Sequence, residues 1–172
     1  FSAASLALVK AKTLIVTEPV ATGGSGDISL TTTAGALQVK TALGGGVVTL
    51  DSATDLQLTE ALTGDRVNLR SGGNIGQDAS AIVTANKLIG ASTGRTTLGG
   101  ANNISVLGNF DANGFALNNT KTLNVTGSPE LAAAVSAIAG SLLRCPGMSP
   151  TVMVCVFRPV STLTVKSTVA PP

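Results

Sequence analysis

A chain of 172 residues is long enough for one domain with a sizeable buried core, so it needs no metal or disulfide staple to fold. It is 44% hydrophobic with 20 Gly but only 2% aromatic, with four Phe and no Trp or Tyr, so its core must be filled by Val, Ile, Leu, Ala and Thr, a set that suits regular stacked strands. The 11 Lys and Arg nearly balance the 9 Asp and Glu, leaving a formal +2 and no basic cluster for nucleic acid, and the absence of His removes Ser-His-Asp and Cys-His nucleophiles and His-ligated metals.

No apolar run reaches the roughly 18 residues that a spanning helix needs; the longest candidate, 131–143, is too short and rich in Ala, Ser and Gly. Polarity comes mostly from neutral Thr, Ser, Asn and Gln, a style that points to an exported surface protein. The chain begins at Phe1 without a basic n-region, apolar core and cleavage site, so no signal peptide is visible and it reads as a mature product or an excised piece.

Taken in chain order, short alternating apolar runs recur. Leu14-Ile15-Val16, Leu37-Gln38-Val39, Leu56-Gln57-Leu58, Ile82-Val83, Ile104-Ser105-Val106 and Leu123-Asn124-Val125 open successive units, spaced by subtraction 23, 19, 26, 22 and 19 residues apart. A second run lies inside the first five units: Ile28-Ser29-Leu30, Val47 to Leu50, Val67-Asn68-Leu69, Thr97-Leu98 and Phe115-Ala116-Leu117. A period near 20 with two or three short strands per repeat predicts one coil of a parallel β-helix, or β-solenoid. Alternation places Leu56 and Leu58 inside with Gln57 outside, and Leu123 and Val125 inside with Asn124 outside. Gly23-Gly24-Ser25-Gly26, Gly44-Gly45-Gly46, Ser71-Gly72-Gly73-Asn74, Gly99 to Asn103 and Asn113-Gly114 supply the turns. An antiparallel sandwich or barrel is the rival, and it does not explain a Leu-x-Val register that restarts about every 20 residues.

The β-helix repeats are expected over 1–127 and a C-terminal cap or tail over 128–172. Ser128-Pro129-Glu130 reads as a helix start, and an Ala-rich helix is expected over about 129–143, ended by Arg144, Pro146 and Gly147. Val152 to Phe157 is expected as a buried strand and Ser161 to Val165 as another. Cys145 and Cys155 form a disulfide in an oxidising compartment or sit as small buried hydrophobes in a reducing one; two cysteines leave both open.

Ser71-Gly72-Gly73-Asn74-Ile75-Gly76-Gln77 resembles the recurring "GGNI-Q" element of filamentous-haemagglutinin-like exoproteins. Leu98 to Ile104, Leu107-Gly108-Asn109-Phe110, Gly114 to Leu117 and Leu123 to Gly127 follow in an order similar to the repeats of two-partner-secretion adhesins and autotransporter passengers. The resemblance covers about 13–127, most clearly 71–127. It implies a right-handed parallel β-helix, export through an outer-membrane partner to the exterior of a Gram-negative cell, and a role in attachment or biofilm. It carries over no catalytic residue, and the tail after Gly127 departs from it.

Other motifs are weaker. Asp51 and Asp55, with Glu60, Asp65 and Asp78 elsewhere, are the acids a polysaccharide-active β-helix would use, but Asp51 and Asp55 flank a turn where Asp is ordinary. Gly23 to Leu30 resembles a calcium-binding nonapeptide that lacks one residue and has no tandem copy. The Asn103, Asn118 and Asn124 sequons read as turn and ladder residues. The expectation is therefore a non-enzymatic adhesive segment with no cofactor or metal. Rows such as Gln38, Gln57, Asn68 and Asn124 would face glycans or proteins of host or neighbouring cells. The alternatives are a subunit of a self-assembling extracellular filament stacked end to end, with the first coil near Leu14 and Val152 to Phe157 as the junction, and a polysaccharide-active enzyme.

Overall fold

The computed structural model describes residues 4–22 and 25–126 in full, and beyond them the backbone of four short strands. In chain order the strands are β1 (Leu6–Lys10), β2 (Leu14–Val16), β3 (Val20–Ala21), β4 (Ile28–Thr32), β5 (Leu37–Val39) and β6 (Leu43–Ser52). Then follow β7 (Leu56–Leu58), β8 (Leu62–Ser71), β9 (Ile75–Gln77), β10 (Val83–Ser92) and β11 (Thr96–Ala112). The series ends with β12 (Phe115–Asn119), β13 (Leu123–Val125), β14 (Val135–Ile138), β15 (Leu143–Arg144), β16 (Val156–Phe157) and β17 (Ser161–Thr162). Among the described residues no helix is long and apolar enough to cross a membrane.

Every strand from β1 to β15 pairs in parallel with strands one coil before or after it, so the chain winds as a β-solenoid of about six turns. One column of short strands runs β2, β5, β7, β9, the start of β11, β12 and β14, with Leu14 over Leu37, Leu56 and Ile75, then Thr96, Phe115 and Val135. A second holds β3 and the first halves of β6, β8 and β10, with Leu43 over Leu62 and Val83. A third holds β1, β4 and the second halves of the same long strands, with Ile28 over Val48, Val67 and Leu88.

Backbone bonds carry the winding. The N–H groups of Leu14, Leu37, Leu56, Ile75 and Thr96 donate to the carbonyls of Ala36, Asp55, Asn74, Arg95 and Gly114 in the following coil, at 2.9, 3.1, 2.9, 3.0 and 2.9 Å. In the other direction Lys40, Thr59 and Asp78 each donate to the preceding coil, to Val16, Val39 and Leu58, at 2.9 Å. Each coil thus satisfies the polar backbone of its neighbours, which lets a run as apolar as Leu56-Gln57-Leu58 be buried without unpaired amides.

The core is a set of vertical aliphatic rows. Leu30, Leu50 and Leu69 stack in one, Val16, Val39 and Leu58 in another, and all but the outermost are fully buried. Burying one such side chain contributes about 1.5–3 kcal/mol, so the rows supply the drive that these short strands lack alone. At one end of the stack a tilted ring pair, Phe110 and Phe115 with centroids 4.7 Å apart, replaces aliphatics.

The phase of the repeat differs from the expected one after the third unit. The fourth unit opens at Ile75, not at Ile82, which is 40% exposed while Val83 joins the second column over Leu62. Thr97-Leu98 and Phe115 to Leu117 likewise belong to the first column. Gly76 and Gln77 are poor strand residues, and Thr96 takes a core position that is aliphatic in the coils before it. A count of apolar letters therefore loses its place there.

The helix expected over 129–143 is not seen. Most of that stretch lies outside the described residues, but Val135–Ile138 is a strand paired parallel with β12, and Leu143–Arg144 is one paired with β13. Both lie 20 residues beyond their partners, so stacking continues past Gly127: an open edge of unpaired N–H and C=O groups recruits the next segment of chain more strongly than Ala propensity winds it. Val156–Phe157 pairs antiparallel with Ser161–Thr162.

Candidate functional site

The outer face of the third column is regular until β11. Between Leu88 and Gly90 of β10 there is one residue, but between their partners Leu107 and Phe110 there are two, so Gly108 and Asn109 oppose Ile89 in a bulge. Beside the bulge lies a groove of ≈ 450 Å³ across successive coils, lined by Asn68, Arg70, Lys87, Ile89, Asn109 and Asp111 among others. Its floor is low because Ala91 and Gly108 carry little or no side chain.

The register explains which charges meet there. Asp51, Arg70, Ala91 and Asp111 form one outward row, and Val47, Arg66, Lys87 and Val106 another. Arg70 is exposed and Lys87 half-buried. The Lys87 stem runs beside Gly108, where a Cβ would come within 2.8 Å of its Cε. Two cations and one carboxylate thus line a groove whose remaining polar groups are neutral amides and a hydroxyl, Thr126. None of Arg70, Lys87 and Asp111 was singled out from the sequence; the only signal was the extra residue between Leu107 and Phe110, visible once the register is known.

The acids weighed as catalytic are dispersed. Asp51 sits in β6 beside Arg70 on the ladder, whereas Asp55 lies in the next turn, where its Oδ1 accepts from the Asn74 backbone N–H at 2.7 Å and from Asn74 Nδ2 at 3.3 Å. Asp65 accepts from Asn86 at 2.5 Å and Asp78 from Gln57 at 2.8 Å. Glu60 is exposed in the turn before β8. Asp27, in the nonapeptide-like stretch, accepts from the Val47 N–H of the next coil at 3.0 Å; Gly23 and Gly24 lie outside the described residues, as do Cys145 and Cys155. No group of three or more metal-ligating side chains occurs among the described residues.

Two other polar clusters are internal. Thr32, Ser52, Ser71 and Ser92 follow one another at the same corner, all buried, and their hydroxyls donate across the turn to Gly35, Asp55, Asn74 and Gly94 at 2.9, 2.8, 3.0 and 2.9 Å. Asn102, fully buried, accepts from Gln77 Nε2 at 2.7 Å and from the Val83 N–H at 2.8 Å, and its own amide donates to Asn118 at 3.0 Å. Asn119 stands next to it on the ladder and bonds both backbone groups of Ile104 at 2.9 Å. These groups tie coils together and are closed to solvent. Gln38, Gln57 and Asn68 are half-buried on the outside and Asn124 is exposed, each between buried neighbours.

No protein-family model, characterised protein or solved structure matches the chain.

Proposed function

We propose that this chain is a non-enzymatic structural and adhesive segment of a secreted bacterial surface protein. The observation that carries the reading is the uninterrupted ladder from Leu14 to Thr96, each N–H bonded to the next coil. Such a stack is stiff and offers proteases few exposed strands, which suits a rod that holds binding surfaces away from a cell. The outward amides and hydroxyls, and the groove on the third column, are its contact surface for glycans or proteins of host or neighbouring cells. The resemblance of 71–127 to filamentous-haemagglutinin-like and autotransporter repeats adds export to the exterior of a Gram-negative outer membrane. The strong preference of parallel crossovers for one hand adds a right-handed winding. Beads coated with the purified chain are expected to adhere to cells and to keep doing so after protease treatment that removes unfolded controls. Beads that stay unbound on every surface offered overturn the adhesive reading.

A second reading, an end-to-end filament, is favoured by the first coil. Leu8 stacks over the buried Leu30 yet is 40% exposed, and Val9 and Ile15 are 67% and 47% exposed beside it. Long uniform fibres with a subunit repeat in electron micrographs would support it; isolated rods would remove it.

A further inference from the structure

The chain contains a single Asn-Gly step, Asn113-Gly114, and it falls at the corner between β11 and β12. We infer that this corner is a site of self-modification, at which the Asn113 side chain loses ammonia through a cyclic imide and reopens as aspartate or isoaspartate. The inference goes beyond the adhesive reading and does not depend on it.

The register makes this corner unlike those stacked before it. Ala112 pairs with Ser92 and Phe115 with Thr96, so two residues turn the chain here where Thr93, Gly94 and Arg95 turn it one coil earlier. Gly114 makes the shorter turn with a φ of 108°, and Asn113 beside it is exposed. In the earlier coils each corner caps the next: Asp55 Oδ1 accepts from the Asn74 N–H at 2.7 Å, and Asn74 Oδ1 accepts from the Arg95 N–H at 2.9 Å. Gly114 is next in that row, since its carbonyl accepts from Thr96 as those of Asn74 and Arg95 accept from Leu56 and Ile75. Arg95 has only donors, so the row supplies no side-chain acceptor for the Gly114 N–H. Among the described residues nothing bonds that N–H or the Asn113 side-chain amide.

Those two groups are the reacting pair. The Gly114 nitrogen gives up its proton and attacks Asn113 Cγ. A new C–N bond forms, the Cγ–Nδ2 bond breaks, and the departing nitrogen takes a proton and leaves as ammonia. Water then opens the five-membered imide at either carbonyl, giving aspartate or an isoaspartate whose main chain runs through Cβ. Glycine carries no side chain to obstruct the attack. Asn is a labile residue in general, but its other positions here are guarded. Asn74 precedes Ile75, whose N–H is held by the Arg95 carbonyl at 3.0 Å, and the Asn102 and Asn119 amides are buried and bonded. Asn124 is exposed but precedes the β-branched Val125 within β13. The isoaspartate adds a main-chain atom between two anchors, the Asn113 N–H bonded to Gly94 at 3.0 Å and the Gly114 carbonyl bonded to Thr96 at 2.9 Å, so the corner loosens where β12 joins the stack.

The test is incubation of the whole folded chain at physiological temperature, with peptide mapping by mass spectrometry and an isoaspartate-specific methylation assay. Residue 113 is expected to gain about 1 Da, with release of ammonia, about tenfold or more faster than any other Asn, and faster still as pH rises. Asn113→Gln is expected to abolish the isoaspartate signal. Arg95→Asp returns an acceptor to the row, as Asp55 provides one below, and is expected to slow the reaction several-fold in the folded chain and leave it unchanged in urea. Hydrogen exchange at the Thr96 amide is expected to quicken in the isoaspartate form. The proposal is overturned if folded chain keeps Asn113 intact while urea-unfolded chain loses it, if neither reacts, if another Asn reacts as fast, or if folded Arg95→Asp reacts unslowed. Should Arg95→Asp not fold, the comparison of native chain folded and in urea decides alone, rates within several-fold of each other supporting the site.

Discussion

Gly90 stands directly beside Phe110 on the ladder, in the row that Leu30, Leu50 and Leu69 occupy in earlier coils, and the ring fills the space the missing side chain leaves. A Cβ at Gly90 would lie 2.8 Å from Phe110 Cε2 and 2.1 Å from the Leu69 carbonyl oxygen. The two residues are one packing decision: a ring at one level requires a notch at the level before it.

Gly90→Val is therefore expected to destabilise the stack by about 3 kcal/mol or more, since it forces both a ring and a backbone carbonyl to move. Combining it with Phe110→Ala should recover part of that loss, because the ring clash is relieved and the carbonyl clash is not. Thermal unfolding of the two single variants and the double gives the coupling directly; strict additivity would contradict the pairing.

Asn102→Leu removes the acceptor for the Val83 N–H and the partner of Gln77 while adding apolar volume. Leaving buried groups unpaired costs about 1–3 kcal/mol each, so a loss of several kcal/mol is expected. Hydrogen exchange at the Val83 amide should accelerate more than at Leu62 or Val67.

Ser71→Ala deletes the hydroxyl that donates to Asn74 at 3.0 Å and accepts from the Gly73 N–H at 3.1 Å. The expected cost is about 1–2 kcal/mol, and limited proteolysis should open the chain near Gly72 and Gly73 before other turns. An unchanged cleavage pattern would show that the backbone holds this corner unaided.

Thr96→Val tests the position at which the apolar period fails. Thr96 is fully buried, and its hydroxyl meets Ser92 Oγ at 2.8 Å, while that Ser also donates to Gly94 at 2.9 Å. The methyl restores the aliphatic character of Leu37, Leu56 and Ile75 in the same row, so the net change is expected to stay within about 1 kcal/mol by denaturant unfolding.

The parallel stack was legible because Leu37-Gln38-Val39 and Leu56-Gln57-Leu58 repeat 19 residues apart and lie in register as their alternation requires. The later phase was not, because Gln77 and Thr96 hold core rows with polar atoms whose partners an apolar count does not register, Asn102 of the next coil and Ser92 four residues earlier. The strand at Val135–Ile138 was hidden behind Ala-rich helix propensity, a local preference that the open edge of β12 overrides. The groove was illegible for a further reason: Arg70, Lys87 and Asp111 are 17 and 24 residues apart by subtraction, and only the stacking of their coils places them along one space.

Rows of interchangeable aliphatics carry a hazard that the buried amides remove. Leu37 would sit as well on a coil one winding too far along as on its own neighbour, so hydrophobicity alone leaves the wraps free to miscount. The Gln77 and Asn102 pair fits at a single level, and a chain misaligned by one wrap would strand both amides in oil. That contact serves as an index mark, from which the rest of the winding is numbered.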